Sequence, residues 1–223
     1  MEALGRALWG LVWKDLLIEV RSRELVLPLL VFVIALVVMF TFSFEPRPAL
    51  VPLVAPGVLW AAITFLGTLG FVRLFSVERE QGGLEGLLTC PVPRSLLYTG
   101  KVLASVLFLV GVEALVLPVF SALFNLPFVL PLLWAATFLC TIGFSAVGVV
   151  FSAMVAHTRA REVLLPVLFF PIVLPVIIAG IAITSAIITG EGEGVGRWLG
   201  LVVAFDIVYL IVGGALFDFV LGE

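Results

Sequence analysis

Charged residues are scarce in this sequence. Of its 223 residues, 12% are charged and 63% are hydrophobic, whereas a soluble domain carries about 25% charged residues. This shortage argues against an ordinary soluble fold. The formal net charge of −3 also argues against nucleic acid as a partner.

Residues that bind metals and haem are almost missing. The chain has one histidine, His157, in a polar loop, and its two cysteines, Cys90 and Cys140, have no C-x-x-C neighbour. Neither a metal centre nor haem ligated by two histidines of this chain is therefore expected. We expect no bound cofactor, two inert thiols, and a solvated loop position for His157.

The phosphate-binding motif G-x-x-x-x-G-K-[ST] is missing as well. Gly100 and Lys101 are followed by Val102, where the motif requires Ser or Thr. That motif supplies the backbone amides that hold nucleotide phosphates. If ATP drives this protein, a separate subunit must hydrolyse it, so the chain itself is not expected to be an enzyme.

What the sequence has in abundance is long apolar runs. A run of about 20 residues can cross a bilayer core about 30 Å thick, and a backbone in lipid must form its hydrogen bonds internally. The runs therefore predict an all-α polytopic membrane protein, one domain over residues 1–223, with six transmembrane spans. The predicted spans are residues 25–44, 51–75, 96–122, 128–153, 163–188 and 198–220.

Residues 1–24 predict a helix that lies on the membrane surface before the first span. Trp9 and Trp13, four residues apart, suit the headgroup region. Asp15 interrupts the apolar stripe of this helix, so a cytoplasmic lead-in helix remains an alternative. The stripe comprises Leu4, Leu8, Leu11 and Ile18.

Three prolines, Pro166, Pro171 and Pro175, interrupt the predicted fifth span. Proline removes a backbone donor and disfavours a straight helix. Residues 163–189 would extend about 40 Å as one helix at 1.5 Å per residue, which exceeds the bilayer core. Either the end of this span bends into a re-entrant segment, or the whole helix is tilted.

Lysine and arginine are distributed unevenly between the two sides of the predicted spans. Ten of the 12 basic residues lie on one side, and only Arg47 and Arg197 lie on the other. Loops rich in Lys and Arg remain in the cytoplasm. With an even number of spans, this asymmetry predicts that both termini are cytoplasmic.

Two carboxylic acids fall inside predicted spans, Glu113 in the third and Asp206 in the sixth. A carboxylate at mid-bilayer costs about 2.5 kcal/mol or more, so both should face protein or water. They are candidates for an intramembrane polar site that relays protons or contacts a substrate. We favour the other interpretation, hydrogen-bonded packing residues, because no Lys or Arg lies at a matching depth.

The most polar connection, residues 76–93, lies between the second and third spans. It contains Glu78 in a charged lead, Gly82 and Gly83 as a joint, and an apolar edge of leucines before two prolines end it. A short helix of this kind can enter a groove on a cytoplasmic partner. Its leucines could equally lie against the bilayer, and the residue pattern leaves both interpretations open. The edge comprises Leu84, Leu87 and Leu88.

Residues in and just before this connection resemble the CcmB family, the haem exporter B subunits of the cytochrome c maturation system. The matching positions are A-P-G-x-x-W at 55–60, R-L-F at 73–75, Glu78, G-x-L-E-x-L at 82–87, P-x-P at 91–93 and Lys101. The resemblance implies a type-2 ABC exporter permease in the bacterial inner membrane. It makes residues 76–93 the coupling helix, with an ATPase-docking surface of Glu78, Gly82, Gly83, Leu84, Glu85 and Leu87.

The resemblance also implies partners. A CcmA-like cytoplasmic ATPase would hydrolyse ATP, CcmC- and CcmD-like membrane subunits would join the assembly, and a haem-loaded CcmE-like chaperone would be released. A second permease copy is expected, because ABC ATPases work as dimers. Three alternatives remain: a drug- or polysaccharide-exporting permease of the same fold, an ion-coupled secondary transporter using Glu113 and Asp206, and a purely structural assembly subunit.

Overall fold

The structure is a computed structural model that describes residues 2–21, 23–44, 48–75, 93–156, 158, 160–190, 192 and 194–220. Within these ranges the regular structure is helical: seven α-helices and one short 3-10 helix, Pro48–Leu50. The α-helices in chain order are α1 (Glu2–Arg21), α2 (Arg23–Phe44), α3 (Val51–Leu74), α4 (Arg94–Phe124), α5 (Pro131–Val155), α6 (Arg161–Thr189) and α7 (Val195–Val220).

Five helices are long and apolar enough to cross a membrane: α3, α4, α5, α6 and the stretch Val195–Phe217 of α7. They correspond to the predicted second to sixth spans, with ends that agree within three residues. In α2, which coincides with the predicted first span, the apolar stretch found among the described residues, Val31–Ser43, is shorter than a span. The all-helical multi-pass architecture is confirmed, whereas the count of six and the side of the termini stay predictions.

The proline-containing helix α6 runs without a break. Pro166, Pro171 and Pro175 all lie inside its 29 residues, which extend about 43 Å at 1.5 Å per residue. The helix stops at Gly190, whose φ of 76° is the left-handed conformation that ends many helices. The helix therefore has no break before a separate re-entrant segment, and a bend within it or a tilt of the whole helix stays a prediction.

Helix α5 lies at the centre of the bundle and packs against α3, α4, α6 and α7. Small buried residues on α5 make this possible, because they let neighbouring helices approach closely. The ring of Phe71 in α3 fills the space next to Gly148, and Phe205 in α7 lies against Gly143. A side chain at either glycine would push a neighbouring helix away.

Trp60, the last residue of the A-P-G-x-x-W sequence, joins α3 to α6. Its indole N–H donates a hydrogen bond of 3.0 Å to the hydroxyl of Thr184, and the side chain is buried. The ring lies directly against Gly180 of α6, where even a methyl group would overlap it. The motif tryptophan is thus a packing residue that holds two helices together.

Helix α1 packs along α4 through a face that includes Val12 and Asp15, both buried. Asp15, which interrupts the predicted apolar stripe, therefore lies in the contact rather than outside it. Trp9 and Trp13 are 62% and 53% exposed, and their rings stack with centroids 6.2 Å apart. This exposed pair suits the predicted position of α1 at a membrane surface, which stays a prediction.

The contact between Trp60 and Gly180 gives a test of the packing. We expect Gly180→Ala to lower the free energy of unfolding by about 1–3 kcal/mol, the usual cost of overpacking a core. Thermal unfolding of the detergent-solubilised protein would measure it. Gly111→Ala is the control, since a methyl group on this α4 residue meets nothing within 4 Å. Equal stability of the two variants would contradict the packing described for Trp60.

Candidate functional site

The predicted docking residues fall in a part of the chain that the structure leaves undescribed. Residues 76–92 lie outside the described residues. Their role and the coupling helix therefore stay predictions, and His157 also lies outside the described ranges. The undescribed docking residues are Glu78, Gly82, Gly83, Leu84, Glu85 and Leu87.

Residues that flank this connection on its two sides lie close together in the bundle. Phe75 follows the last residue of α3, and Lys101 lies two turns into α4, with its Nζ atom 5.1 Å from the centre of the Phe75 ring. Phe75 also contacts Phe217 near the end of α7, and Phe217 contacts Tyr98, with ring centroids 6.4 and 5.4 Å apart. We call these four residues, Phe75, Tyr98, Lys101 and Phe217, the root cluster, and residues 76–93, whose coupling role stays a prediction, the coupling segment.

Tyr98 links the root cluster to the rest of the bundle. Its hydroxyl lies 3.2 Å from the carbonyl oxygens of both Ala146 in α5 and Tyr209 in α7, within donating distance of each. Gly213 of α7 has no side chain, and this leaves room for the tyrosine. The start of α4 is therefore held by polar contacts to two other spans.

A buried ion pair joins α1 to this region. Lys101 Nζ lies 3.0 Å from Asp15 Oδ2, and the two side chains are 6% and 8% exposed. Sequence reasoning treated Asp15 as a flaw in an apolar stripe and Lys101 as one of the family's matching residues. The sequence did contain a signal for this pair. A buried lysine inside the first turns of a span requires a nearby acid.

Glu113 is buried between α4 and α5. Its side chain is 1% exposed and accepts a hydrogen bond at Oε1 from the hydroxyl of Thr141 in α5. The same hydroxyl is 2.9 Å from the carbonyl oxygen of Thr137. The second oxygen, Oε2, has no hydrogen-bond partner among the described residues. Glu113 thus connects two helices and retains one acceptor without a partner among the described residues, and its role stays a prediction.

Asp206 is buried between α7 and α5. It is 5% exposed, and its Oδ1 lies so close to Gly143 that a methyl group there would overlap it. Neither carboxylate oxygen makes a hydrogen bond of normal geometry with the described part of the chain. The glycine accommodates the carboxylate but leaves its acceptors largely unused.

The structure places Glu113 and Asp206 at one depth but does not bring them into direct contact. Each lies 11 residues, about 16 Å, from the end of its helix on one side of the bundle, near the middle of a bilayer core about 30 Å thick. Their contacts on α5, Thr141 and Gly143, are two positions apart and so point to nearly opposite sides. Cys140, a buried free thiol, lies between these directions.

These buried charged and polar residues, held on long apolar helices, define the class of protein as a multi-pass α-helical membrane protein. Comparison with known proteins narrows the class to one family. Residues 6–219 match the model of the CcmB protein family. The chain belongs to the CcmB family.

Several relatives support this assignment. The heme exporter protein B of Pseudomonas aeruginosa is 31% identical over 186 residues, which cover 82% of this chain and 83% of that protein. The protein of the same name from Bradyrhizobium diazoefficiens is 29% identical over 209 residues, 93% of each chain. The one from Haemophilus influenzae is 28% identical over 179 residues, 79% of this chain and 80% of that protein. The resemblance recognised at residues 55–101 therefore extends over most of the sequence.

The hydrogen bond between Thr141 and Glu113 can be tested directly. We expect Thr141→Val to lower the free energy of unfolding by about 1–3 kcal/mol, because it leaves the buried Oε1 acceptor unsatisfied. Thr141→Ser keeps the hydroxyl and serves as the control. Thermal unfolding in detergent would measure both, and a valine variant as stable as the serine variant would refute the contact.

Proposed function

We propose that this chain is the transmembrane permease subunit of an ABC transporter for cytochrome c maturation. Membership of the CcmB family supports the proposal, as do the relatives that carry the name heme exporter protein B. ATP would be hydrolysed by a separate CcmA-like ATPase. The output would be haem export or ATP-driven release of a haem-loaded CcmE-like chaperone, with haem as the species handled rather than as a cofactor of this chain.

The observation that carries the mechanism is the contact between Phe75, just before the coupling segment, and Lys101, two turns beyond it in α4. Phe75 and Lys101 are in contact at the root cluster, so a pull on residues 76–92 would act on the end of α3 and the start of α4 together. Tyr98 and Phe217 extend these contacts to α5 and α7. A force applied at one loop would thus reach four spans through packed side chains.

The proposed assembly contains more than this chain. The ATPase would dock on residues 76–93 through Glu78, Leu84, Glu85 and Leu87, with Gly82 and Gly83 as the pivot. A second permease copy would pair with the first so that each ATPase of a dimer has a docking site. CcmC- and CcmD-like subunits would complete the complex in the bacterial inner membrane, with both termini of this chain cytoplasmic.

Docking is tested by placing charge on the apolar edge of the coupling segment. We expect the double variant Leu84→Asp, Leu87→Asp to lose co-purification with the ATPase in mild detergent, because a charged edge cannot enter an apolar groove. The matched control is Leu84→Met, Leu87→Met, which keeps the edge apolar. Both variants should insert into the membrane in equal amounts. Survival of the complex in the aspartate variant would show that docking lies elsewhere.

An ion-coupled secondary transporter is the second candidate, and the two buried carboxylates at one depth favour it. A drug- or polysaccharide-exporting permease would share the fold, but membership of the CcmB family argues against it.

The carboxylates are tested by Glu113→Gln and Asp206→Asn, which keep the shape of each side chain. For an ATP-driven permease whose carboxylates serve packing, we expect the level of mature haem-containing cytochrome c in cells to be unchanged. Haem staining of membrane proteins would measure it, with an ATPase-deficient strain as the baseline. Transport that persists in that strain and stops with Glu113→Gln would instead establish the secondary transporter.

A further inference from the structure

The ion pair between Asp15 and Lys101 shares Lys101 with the root cluster and links that cluster to α1. It joins α1, which is outside the five candidate spans, to the second turn of α4. Lys101 is at the same time in contact with the Phe75 ring at the end of α3. One buried ammonium group therefore contacts α1, the residue that follows α3, and belongs itself to the first turns of α4.

The pair is protected from water. Both side chains are more than nine-tenths buried, whereas Lys14, the other cation near Asp15 at 3.4 Å, is 40% exposed. Removing one member of a buried ion pair leaves the other as an uncompensated charge, which is far more costly than loss of an exposed pair. The Lys101 contact, rather than the Lys14 contact, should hold Asp15 in place.

Apolar contacts support the pair along the same interface. Val12 of α1 is completely buried. Leu11 lies close to Gly100, where a Cβ atom would be 3.5 Å from the Leu11 Cβ. The Leu11 side chain of α1 therefore packs close to the backbone of α4 at the position before the lysine.

We propose that Asp15 and Lys101 are positioning residues that fasten α1 to the root cluster, so that α1 and the first turns of α4 move as one body. Displacement of the coupling segment by the ATPase would then be passed to α1 and its exposed tryptophans as well as to the spans. Movement of the coupling segment by an ATPase rests on the proposed function. Attachment of α1 to α4 by the ion pair does not.

The fastening is tested by cross-linking that needs no ATPase. In a background of Cys90→Ser and Cys140→Ala, the pair Leu11→Cys, Gly100→Cys has a Cβ separation of 3.5 Å, which suits a disulfide. We expect rapid cross-linking in native membranes under mild oxidation. Asp15→Asn should slow it several-fold, whereas Asp15→Glu should preserve it. Lys14→Gln is the matched control and should have no effect.

A charge exchange protects this test against a variant that fails to fold. Asp15→Lys combined with Lys101→Asp restores opposite charges at the same two positions, and we expect it to recover the cross-linking rate lost in Asp15→Asn. Unchanged cross-linking in Asp15→Asn would overturn the proposal. So would a charge exchange that is well folded, as judged by size-exclusion chromatography, but is no faster than the single variant.

Measuring cytochrome c maturation in cells distinguishes a positioning role of Asp15 from an effect on protein stability alone. We expect Asp15→Asn to keep the ATPase in co-purification but to lower the level of mature haem-containing cytochrome c. The Leu11→Cys, Gly100→Cys disulfide should restore that level, because it replaces the ion pair as a fastening. Loss of output when the disulfide is formed in the otherwise unchanged background would show that α1 and α4 must separate, and would also overturn the proposal.

An error in the proposed function would be detected by a different measurement, co-purification of an ATPase. If no ATPase accompanies the unaltered chain, the ABC assignment is wrong, while the cross-linking result still decides whether Asp15 and Lys101 fasten α1. The two outcomes are therefore read from separate experiments.

Discussion

Close approach of helices at α5 is the constraint on which the rest of the bundle depends. Apolar side chains gain little by leaving lipid for protein, so membrane helices associate through close packing and polar contacts. Gly148 admits the ring of Phe71 from α3, and Gly143 admits Phe205 and the carboxylate of Asp206 from α7. With larger residues at these positions, neighbouring helices could not surround α5, and the buried polar groups would lose their surroundings.

Two layers of buried polar residues are built on this packing, and α4 carries a member of each. Lys101 lies near its start, in the ion pair with Asp15. Glu113 lies 12 residues further, about 18 Å along the helix, in the hydrogen bond with Thr141. Because a helix is stiff over this distance, a displacement of the root cluster would also displace Glu113. One helix therefore carries both buried polar layers.

Much of the fold could be predicted because a transmembrane span is a property of a local stretch of sequence. Length and apolar composition placed five spans within three residues of the observed helices, since the bilayer imposes both requirements on each segment separately. The end of α6 was harder to foresee. Local propensity suggested that three prolines would end or bend the span early. A helix inside a membrane protein can continue through proline when its surroundings compensate for the lost hydrogen bonds.

The sequence by itself determined the helical class, five of the spans, the family resemblance and the presence of two acids within spans, because all of these depend on short local stretches of sequence. Only the tertiary structure decided that Asp15 pairs with Lys101, that Trp60 bonds to Thr184, and that Glu113 and Asp206 lie at one depth on different sides of α5. These contacts join residues that are far apart along the chain. They depend on which helices are neighbours and on how each is rotated about its axis, and neither hydropathy nor motif spacing encodes that rotation.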